Sequence, residues 1–405
     1  MSGSSPLDPS AQGLGRSGPG PRRPDLRSGF ADLGGRIWLN CAHQGPLPLA
    51  AAREAFEAVG WKVRPAELTT ERFASVPARL RAALARAIEA PEQEIALADG
   101  ASYGLHLLAN GLPLAAGDEV LLLEGDFPSN VLPWIGLRER GVVVRTVTPA
   151  GGEPVLQPED VERAIGPRTR VLCTSWVHSF SGWSTDLETI GALCRARGVR
   201  FLVNTSQGFG ARPLRPAALP VDAIVNVGWK WLCGPYGTGF CWMRQELWDE
   251  LRINRRYWQS IQTADDLGGG DAGTELPPGL GARRYDVFAP ARFLDHVPFA
   301  AALEHLLELG LERIAEHDAG LVERLHAGLE GAPYAITSPA PDHPARSQIV
   351  VLSHRDEARN RAIFERLGAE GIDVALRRGR LRVSAHLHNT EEEIDRLVEA
   401  LREAA

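Results

Sequence analysis

The stretch that decides the fold is "VNVGWKWLCGPYGTGF" (225–240), in which an apolar strand runs into a turn rich in glycine and proline. It holds Lys230, and the 405-residue chain has only one other lysine, Lys62. Arginine can supply any surface charge, but a guanidinium stays protonated and forms no imines, so a nucleophilic amine has to be lysine. Trp229 and Trp231 flank Lys230, and burial in such apolar surroundings lowers the pKa of an ammonium group. We therefore interpret Lys230 as a reactive amine, although most lysines that follow a strand are solvated charges.

The overall composition is that of an ordinary soluble globular protein, with 44% hydrophobic residues, 23% charged residues and a net charge of -7. This charge favours neither nucleic acid nor an anionic membrane as a partner. No apolar run reaches the ~18 residues that span a bilayer, and no secretion signal is evident. The five cysteines are scattered and odd in number, which argues against a disulfide framework and for a cytoplasmic location. No Cys/His cluster has zinc spacing, so we expect no metal.

Apolar strands and amphipathic helices alternate from about residue 50 to residue 243. This pattern predicts a mainly parallel sheet that is covered on both faces and binds ligands at the carboxyl ends of its strands. Strands are predicted at 94–98, 119–125, 142–147, 170–177, 199–204, 222–228 and 237–243, and helices at 78–89, after residue 100, near 131–140 and at 186–198.

The pattern changes after about residue 290, where a long helical region (298–330) precedes a strand at 347–353 and a strand pair at 371–384. Thr390 followed by Glu393 forms a capping box that starts the last helix. We predict a disordered tail rich in Gly, Pro and Ser, a large domain that contains an N-terminal substrate-loop segment, and a smaller α+β domain. Their bounds are 1–30 for the tail, 31–290 for the large domain with its segment at 36–50, and 291–405 for the small domain.

Two motifs are suited to a phosphorylated aromatic ligand. In "ADGASYG" (98–104), Ala101 and Ser102 open a helix, and helix N-termini present free N–H groups to anions. A plain strand-to-helix turn with a serine cap is the alternative. "GDFPSNVLPW" (125–134) follows a strand end and offers Phe127 as a flat neighbour for a ring, although an ordinary core position would also explain this phenylalanine.

Two further motifs supply polar groups. "VNTSQGFG" (203–210) ends a strand with Asn204 and Gln207, which could meet a ring nitrogen and a phenolic oxygen or could simply cap the strand. "RLRVSAHLHNT" (380–390) places Arg382 in a strand of the small domain, where its guanidinium could bind a carboxylate. On an α/β scaffold, a lysine among such groups is most often used to form a Schiff base with pyridoxal 5′-phosphate (PLP).

Taken together, these motifs resemble the fold-type I PLP enzymes of the class V aminotransferase family, which includes isopenicillin N epimerase-like proteins, cysteine desulfurases and kynureninase. The resemblance runs from about residue 37 to residue 402. It implies an α/β fold in which a large domain has a mainly parallel seven-stranded sheet, and it implies a homodimer with sites at the subunit interface. The matching pieces are "GASYGL", "DFPSNVLPW", "VHSFSGW", "LVNTSQGFGARPL", "GWKWLCGPYGTGF", "RRYDVF" and "LRVSAHLHNTEEEID".

The resemblance also implies a role for each candidate residue. Lys230 would form the Schiff base with PLP. The other cofactor-binding residues would be Ala101 and Ser102 at the phosphate, Trp229 near it, Phe127 and Ser206 on the two faces of the ring, Ser179 and Gln207 at the phenolic oxygen, and Asn204 at the ring nitrogen. The substrate-binding residues would be Ala42 and His43 of "NCAHQGPLP" (40–48) and Arg382 at the carboxylate.

The chain departs from the family pattern at Asn204, where relatives normally have an aspartate that keeps the ring nitrogen protonated. An uncharged amide should make the cofactor a weaker electron sink. Three accounts fit: a substitution made in the laboratory, a chemistry that needs little stabilisation by the ring, or a protein that binds PLP but catalyses poorly. The stretch from Ala345 to Arg382 also has no cysteine and ends in a tight hairpin, which argues against a cysteine desulfurase.

We therefore expect a PLP-dependent transferase or lyase that acts at the α-carbon of an amino acid, which we expect to be a modified one. Transamination, β-elimination including carbon–sulfur cleavage, and epimerisation remain open, as does a PLP-binding protein with little catalysis. Two arginines next to Arg382 hint at a second acidic group on the substrate. The candidates to line the substrate pocket are His43, Trp134, His178, Trp183, Arg377 and Arg378.

Overall fold

The computed structural model describes residues 25–258 and 275–404. Its largest sheet has seven strands in the order β2-β8-β7-β6-β5-β3-β4, and every neighbouring pair is parallel except the two that involve β8. The predicted α/β fold with a mainly parallel seven-stranded sheet is therefore confirmed. The strands are β1 (Ile37–Trp38), β2 (Ile95–Ala98), β3 (Glu119–Leu123), β4 (Val143–Val147), β5 (Thr169–Ser175), β6 (Arg200–Asn204), β7 (Ala223–Val227), β8 (Gly239–Met243), β9 (Tyr334–Ile336), β10 (Val350–His354), β11 (Ile372–Asp373), β12 (Ala375–Arg377) and β13 (Arg380–Val383).

Helices cover both faces of this sheet, because successive side chains of each strand point in opposite directions. In β3, Leu121 and Leu123 join one apolar cluster, whereas Val120 and Leu122 join another on the opposite face. The helices are α1 (Leu49–Val63), α2 (Thr70–Ile88), α3 (Ala101–Gly111), α4 (Pro128–Ile135), α5 (Pro158–Ala164), α6 (Leu187–Ala196), α7 (Gln245–Glu250), α8 (Phe293–Leu309), α9 (Leu311–Gly328), α10 (Asn360–Ala369) and α11 (Glu391–Glu403).

A second, antiparallel sheet has the strand order β12-β13-β10-β9 and packs against α9, α10 and α11 in an apolar cluster of its own. The predicted capping box is present, since Thr390 caps α11 and the Glu393 carboxylate bonds back to the Thr390 N–H. The long helical region predicted at 298–330 is divided into α8 and α9. Gly310, with a φ of 88°, makes this break because its backbone conformation is one that residues with a side chain rarely adopt.

The N-terminal segment contacts the C-terminal part of the chain. Strand β1 pairs with β11 in a two-stranded sheet, and Asn40 bridges to Ser384 just after β13, so the segment predicted to line the substrate pocket is held by the C-terminal part of the chain. The division into domains at residue 290 remains a prediction.

The prediction of a disordered tail at 1–30 needs a correction for its last residues, whereas residues 1–24 lie outside the part that the structure describes. Residues 26–29 form a 3-10 turn. Leu26 and Phe30 are buried, and the Phe30 ring contacts His305 and His388. These two apolar side chains enter the core. Their burial was not predicted from the sequence, because the stretch that precedes them is rich in Gly, Pro and Ser. No helix within 25–258 or 275–404 is long and apolar enough to cross a membrane.

Gly182, which lies between β5 and α6, packs against the residues that precede β10 and gives a test of the fold. It has a φ of 75°, its carbonyl accepts a hydrogen bond from Ser347, and an added Cβ would lie 2.3 Å from the carbonyl oxygen of Ile349. Gly198 is a matched control, with a φ of 67° and no atom near its Cβ position. We expect Gly198→Ala to cost the ~1–2 kcal/mol of a left-handed backbone, and Gly182→Ala to cost a further ~1–3 kcal/mol for the clash. Urea unfolding measures both, and equal costs would contradict the packing described here.

Candidate active site

A cavity of about 350 Å³ lies at the carboxyl ends of the parallel strands, where Ser175, Asn204 and Val227 line its floor. The structure brings all twelve sequence-predicted site residues together around it, namely Ala42, His43, Ala101, Ser102, Phe127, Ser179, Asn204, Ser206, Gln207, Trp229, Lys230 and Arg382. Gln44, which belongs to the predicted substrate loop, also lines the cavity, and sequence reasoning missed Ser129, Ser175, Val177, Phe180, Val227 and Tyr236. The polar or aromatic nature of most of them carries no signal by itself, because only the fold turns them inward.

Lys230 follows β7 and is partly buried in this cavity. Its amine lies 5.6 Å from the centre of the Phe127 ring and has no hydrogen-bond partner in the described part of the chain. Burial, followed by the nearby positive charge of Arg382, lowers the pKa of this amine to about 7. A substantial fraction of Lys230 is therefore an unprotonated nucleophile at neutral pH, as the flanking tryptophans predicted.

The backbone around Lys230 is held from two sides. Gly45 donates its N–H to the Trp229 carbonyl at 2.8 Å, and an added Cβ on this glycine would lie 2.1 Å from the Lys230 carbonyl oxygen. On the other side, His386 Nε2 bonds to the Trp231 carbonyl at 2.9 Å. The predicted substrate loop and the C-terminal segment thus both fix the position of the lysine.

His386 can hold that carbonyl because it is part of a fully buried ion pair. Its Nδ1 lies 2.6 Å from Asp318 Oδ2. Burial alone would lower the pKa of His386, but the charge and hydrogen bond of Asp318 outweigh it and raise the pKa to about 10. An imidazolium donates from both nitrogens, so it can bind the carboxylate and the carbonyl at once. Neither residue was recognised from the sequence, since they are 68 positions apart.

The start of α3 forms one end of the cavity, with Ala101 and Ser102 in its lining. Gly100 precedes the helix and offers no side chain to cap its N–H groups, so these remain available to an anion. The Trp229 ring lies 3.0 Å from the Cβ position of Gly100, which leaves no room there for a larger residue. This arrangement supports the prediction of a phosphate site at Ala101 and Ser102, with Trp229 beside it.

The walls of the cavity suit a flat ring. Phe127 is 38% exposed and stacks on Phe180 with ring centres 6.1 Å apart. Ser206 also lines the cavity, and its buried hydroxyl has no hydrogen-bond partner in the part of the chain that the structure describes. Buried polar atoms are rarely left unpaired, so this hydroxyl indicates that a polar ligand occupies the cavity.

Gln207 connects the cavity to the predicted substrate loop. Its side-chain carbonyl accepts from Trp231 Nε1 at 3.1 Å, and its amino group donates to the Ala42 carbonyl at 3.0 Å. His43 lies next to Ala42, and burial, followed by the charge of Arg377, lowers the pKa of its imidazole. His43 is therefore a neutral side chain at the cavity near pH 7.

The opposite end of the cavity is strongly cationic. Arg382 is 3% exposed and donates to the Ser179 carbonyl at 3.1 Å and to Asn40 Oδ1 at 3.4 Å. Its Nε has no partner, and it forms no ion pair with a carboxylate of the described chain. Burial, followed by the charge of Arg377, lowers the pKa of Arg382 to about 10. A buried guanidinium without a counter-ion is suited to binding a carboxylate of a ligand.

Four of the residues proposed to line the substrate pocket do not line this cavity, which corrects that expectation. Trp134 belongs to α4 and is fully buried, and Trp183 donates to the Thr337 carbonyl at 3.2 Å. His178 and Arg378 both reach the Gly125 carbonyl, at 3.2 and 2.9 Å. The polar groups of Trp183, His178 and Arg378 are engaged by the surrounding chain, and Trp134 packs in the apolar core. His43 and Arg377 do line the cavity.

A larger cavity of about 660 Å³ lies at the amino ends of the strands. Two of its four arginines are paired with carboxylates, Arg170 with Asp118 at 3.1 Å and Arg200 with Asp222 at 3.0 Å, and Arg244 donates to backbone carbonyls. No lysine lines this larger cavity, so we place the chemistry at the smaller one, which holds the Lys230 amine.

Comparison with known proteins agrees with this geometry. The sequence profile described as aminotransferase class-V matches residues 49–282, more than half of the chain. The chain belongs to this family. Its enzymes depend on PLP, and the lysine, the aromatic ring stack and the uncapped start of α3 described above fit that cofactor.

Two curated proteins are similar to this class V aminotransferase family member along most of their length. A probable cysteine desulfurase of Methanothermobacter thermautotrophicus is 28% identical over 413 residues, which cover 95% of this chain and 98% of that protein. The isopenicillin N epimerase of Streptomyces clavuligerus is 29% identical over 377 residues, which cover 90% and 93%. Among solved structures, the cystine C–S lyase C-DES with its product cysteine persulfide has a TM-score of 0.82 and 24% identity, covering 92% and 98%.

Proposed function

We propose that this PLP-dependent enzyme eliminates a leaving group from the β-carbon of an amino acid, as a carbon–sulfur lyase does. The observation that carries the proposal is that one cavity holds the Lys230 amine, which has a pKa of about 7, and the buried guanidinium of Arg382, which has no carboxylate partner among the described residues. The first group can move a proton, and the second can hold the carboxylate of the substrate.

The residues around the cavity have separate roles in holding PLP. Lys230 would be the covalent attachment point, Ala101 and Ser102 would bind the phosphate, and Phe127 and Ser206 would contact the two ring faces. When bound, PLP supplies an electron-withdrawing ring conjugated to the substrate amine, which weakens the bonds at the α-carbon. Ser179, Gln207, Asn204 and Trp229 complete the proposed cofactor-binding set.

Arg382 and Lys230 then determine which bond is broken. Arg382 binds the α-carboxylate and so orients the α-carbon within the cavity, next to the substrate loop at Ala42 and His43. Lys230 removes the α-proton, and a pKa near the operating pH is the best compromise between availability and strength for such a base. For a β-substituted alanine the balanced outcome is pyruvate, ammonia and the protonated leaving group, with one water consumed.

Asn204 favours elimination over transamination. A neutral amide beside the ring nitrogen leaves the PLP ring a weaker electron acceptor than a carboxylate would, and transamination depends most on electron withdrawal by the ring. The similarity to a cystine C–S lyase points to the same class of reaction. The relative named as a cysteine desulfurase raises the question of an enzyme-borne sulfur. The stretch from Ala345 to Arg382 has no cysteine, and β12 and β13 are joined by the two residues Arg378 and Gly379. Any released sulfur would therefore leave with the product.

Epimerisation is the second candidate. The relative named as an isopenicillin N epimerase motivates it, and His43 provides a second neutral base at the cavity besides Lys230. Return of the α-proton by one of the two groups after its removal by the other would invert the configuration.

We further propose a cytoplasmic homodimer. The outer face of α1 exposes Phe56, Val59 and Val63, which are 79%, 46% and 72% exposed and lie on one side of the helix. An apolar stripe of this kind is typical of a subunit contact. Five unpaired cysteines, all buried, agree with a reducing compartment.

Product analysis in deuterated water tests the proposed reaction. We expect the holoenzyme to convert L-cystine or an S-substituted L-cysteine into pyruvate and ammonia, and Lys230→Ala to lower the rate by about 100- to 10,000-fold because it removes the proton-transferring amine. Lys62→Arg, at the only other lysine, is the matched control and should retain the rate. Deuterium incorporation with inversion, and without pyruvate, would establish epimerisation instead. Conversion of the substrate to its keto acid with the β-substituent retained would overturn the elimination.

A further inference from the structure

A buried carboxylate outside the cavity, that of Asp126, sets the orientation of the side-chain amides of Asn130 and Asn204. Asp126 follows β3 and is 5% exposed. Its two oxygens accept four hydrogen bonds: from the backbone N–H groups of Phe127 and Ser175 at 2.7 and 3.0 Å, from the Ser175 hydroxyl at 2.7 Å, and from Asn130 at 2.8 Å. A carboxylate only accepts, so each neighbour has to present a donor to it.

Asn130 is therefore fixed with its amino group toward Asp126. The two hydrogens of its Nδ2 go to Asp126 Oδ2 and to the Ser175 hydroxyl, each at 2.8 Å. That hydroxyl can accept because its own hydrogen is donated to Asp126. The side-chain oxygen of Asn130 consequently points away from Asp126, and Asn204 Nδ2 donates to it at 2.7 Å.

Asn204 is oriented in turn by two contacts. Its Nδ2 bonds to Asn130, and its Oδ1 accepts the Ser206 N–H at 3.0 Å. An amide nitrogen carries two hydrogens, and no second acceptor for Nδ2 exists among residues 25–258 and 275–404. Asn204 lines the cavity, so the free hydrogen is available to a ligand there.

We propose that Asp126 and Asn130 are positioning residues that hold Asn204 as a hydrogen-bond donor, so that the ring nitrogen of PLP is bound in its unprotonated form. The inference rests on the assignment of position 204 to the ring nitrogen and goes beyond the proposed reaction. A pyridine nitrogen with a lone pair accepts the Asn204 hydrogen, whereas a pyridinium would direct its own N–H at that donor.

The same contacts make aspartate unsuitable at position 204. A carboxylate there would face the side-chain oxygen of Asn130, and two acceptors without a proton repel each other. Turning Asn130 over would move its oxygen against Asp126 and create the same conflict. The amide at position 204 is thus matched to its surroundings. This match supports Asn204 as the native residue rather than a laboratory substitution. It also supports a chemistry that needs little electron withdrawal by the ring.

Nitrogen-15 NMR of PLP labelled at the ring nitrogen tests the proposal directly. In the reconstituted wild-type enzyme the resonance should keep the position of an unprotonated, hydrogen-bonded pyridine from mildly acidic to mildly alkaline pH, and Asn204→Asp should move it to the pyridinium position. A pyridinium shift in the wild type would overturn the inference while leaving the proposed function intact. Failure to bind PLP at all would instead remove the proposed function and the inference with it.

Stability of the cofactor-free protein gives a readout that does not depend on PLP. We expect Asn204→Asp to lower the melting temperature at neutral pH, and to lower it less in an Asn130→Ala background, where the opposing oxygen is absent. Such a double-mutant cycle isolates the coupling between the two side chains. An Asn204→Asp protein with the melting temperature of the wild type, or an equal decrease in melting temperature in both backgrounds, would contradict the positioning of Asn204 by Asp126 and Asn130.

The charges at the other end of the cavity carry a second inference. Lys230, Arg377 and Arg382 line the cavity, and none of its lining residues is aspartate or glutamate. The start of α3 accounts for the PLP phosphate, and Arg382 for one carboxylate. Arg377 remains: its guanidinium bonds only to the neighbouring Leu376 carbonyl, at 3.1 Å, and it has no carboxylate partner in the described part of the chain.

We also infer that the substrate carries a second anionic group, such as a carboxylate or sulfonate, which Arg377 binds. A guanidinium close to two other cations raises their electrostatic energy, as the lowered pKa values of Lys230 and Arg382 indicate. An anionic substrate side chain would offset this cost and gain charge-assisted hydrogen bonds. This inference deepens the proposed function and rests on it.

Spectral titration of the holoenzyme with two amino acids of matched length, L-glutamate and L-norvaline, tests this subsite. L-Glutamate should bind about tenfold or more tightly than L-norvaline. Arg377→Gln should abolish this preference, because it should weaken L-glutamate binding far more than L-norvaline binding. Arg380→Gln, in the exposed part of the same hairpin, is the control and should keep the preference.

An equal affinity of the wild type for both ligands, or an equal loss for both in Arg377→Gln, would overturn the subsite but not the reaction. A spectrum that no amino acid perturbs would remove the proposed function, and the subsite would fall with it.

Discussion

The active site depends on the burial of one amine that has no hydrogen-bond partner among residues 25–258 and 275–404. Lys230 is kept in a cavity beside the guanidinium of Arg382, where the charged form of its side chain is disfavoured and its pKa lies near 7. An ammonium group in water would be an ordinary charge, and the same group in this cavity is a nucleophile and a base. The parallel sheet makes the burial possible, since the carboxyl ends of its strands supply the floor on which the cavity rests.

Holding such a group requires rigid backbone on both sides of it, and distant parts of the chain provide this. Gly45 packs directly against the Lys230 carbonyl, while the buried imidazolium of His386, balanced by Asp318, binds the carbonyl of Trp231. The smaller sheet is therefore part of the active-site framework. A buried ion pair of this kind adds little net stability. It specifies one geometry, because separating the two side chains would leave each charge buried without a partner, which is strongly unfavourable.

The sequence was sufficient to predict the fold and twelve of the residues that line the cavity, because hydrophobic periodicity is local and the motif around Lys230 is distinctive. Contacts between distant segments were not predictable from it. Asn130 and Asp126 belong to the quoted motif around Phe127, yet their bonds to Asn204 depend on β3, β5 and β6 being neighbours. Trp134 and His178 were expected at the substrate pocket, and their types suited it, but packing turns them away from it. The division of the helical region at Gly310 was missed because a single glycine is compatible with a continuous helix.

The most direct test of the account is to locate where PLP attaches and how the attachment depends on pH. Cofactor-free protein would be mixed with PLP, reduced with borohydride at a series of pH values, and digested for mass spectrometry. The account predicts the pyridoxyl group on the peptide that contains Lys230, with a rate of incorporation that rises with pH through a midpoint of about 7 and then levels off, since only the unprotonated amine reacts. Incorporation mainly at Lys62, or a midpoint near that of an ordinary lysine at about 10, would contradict it.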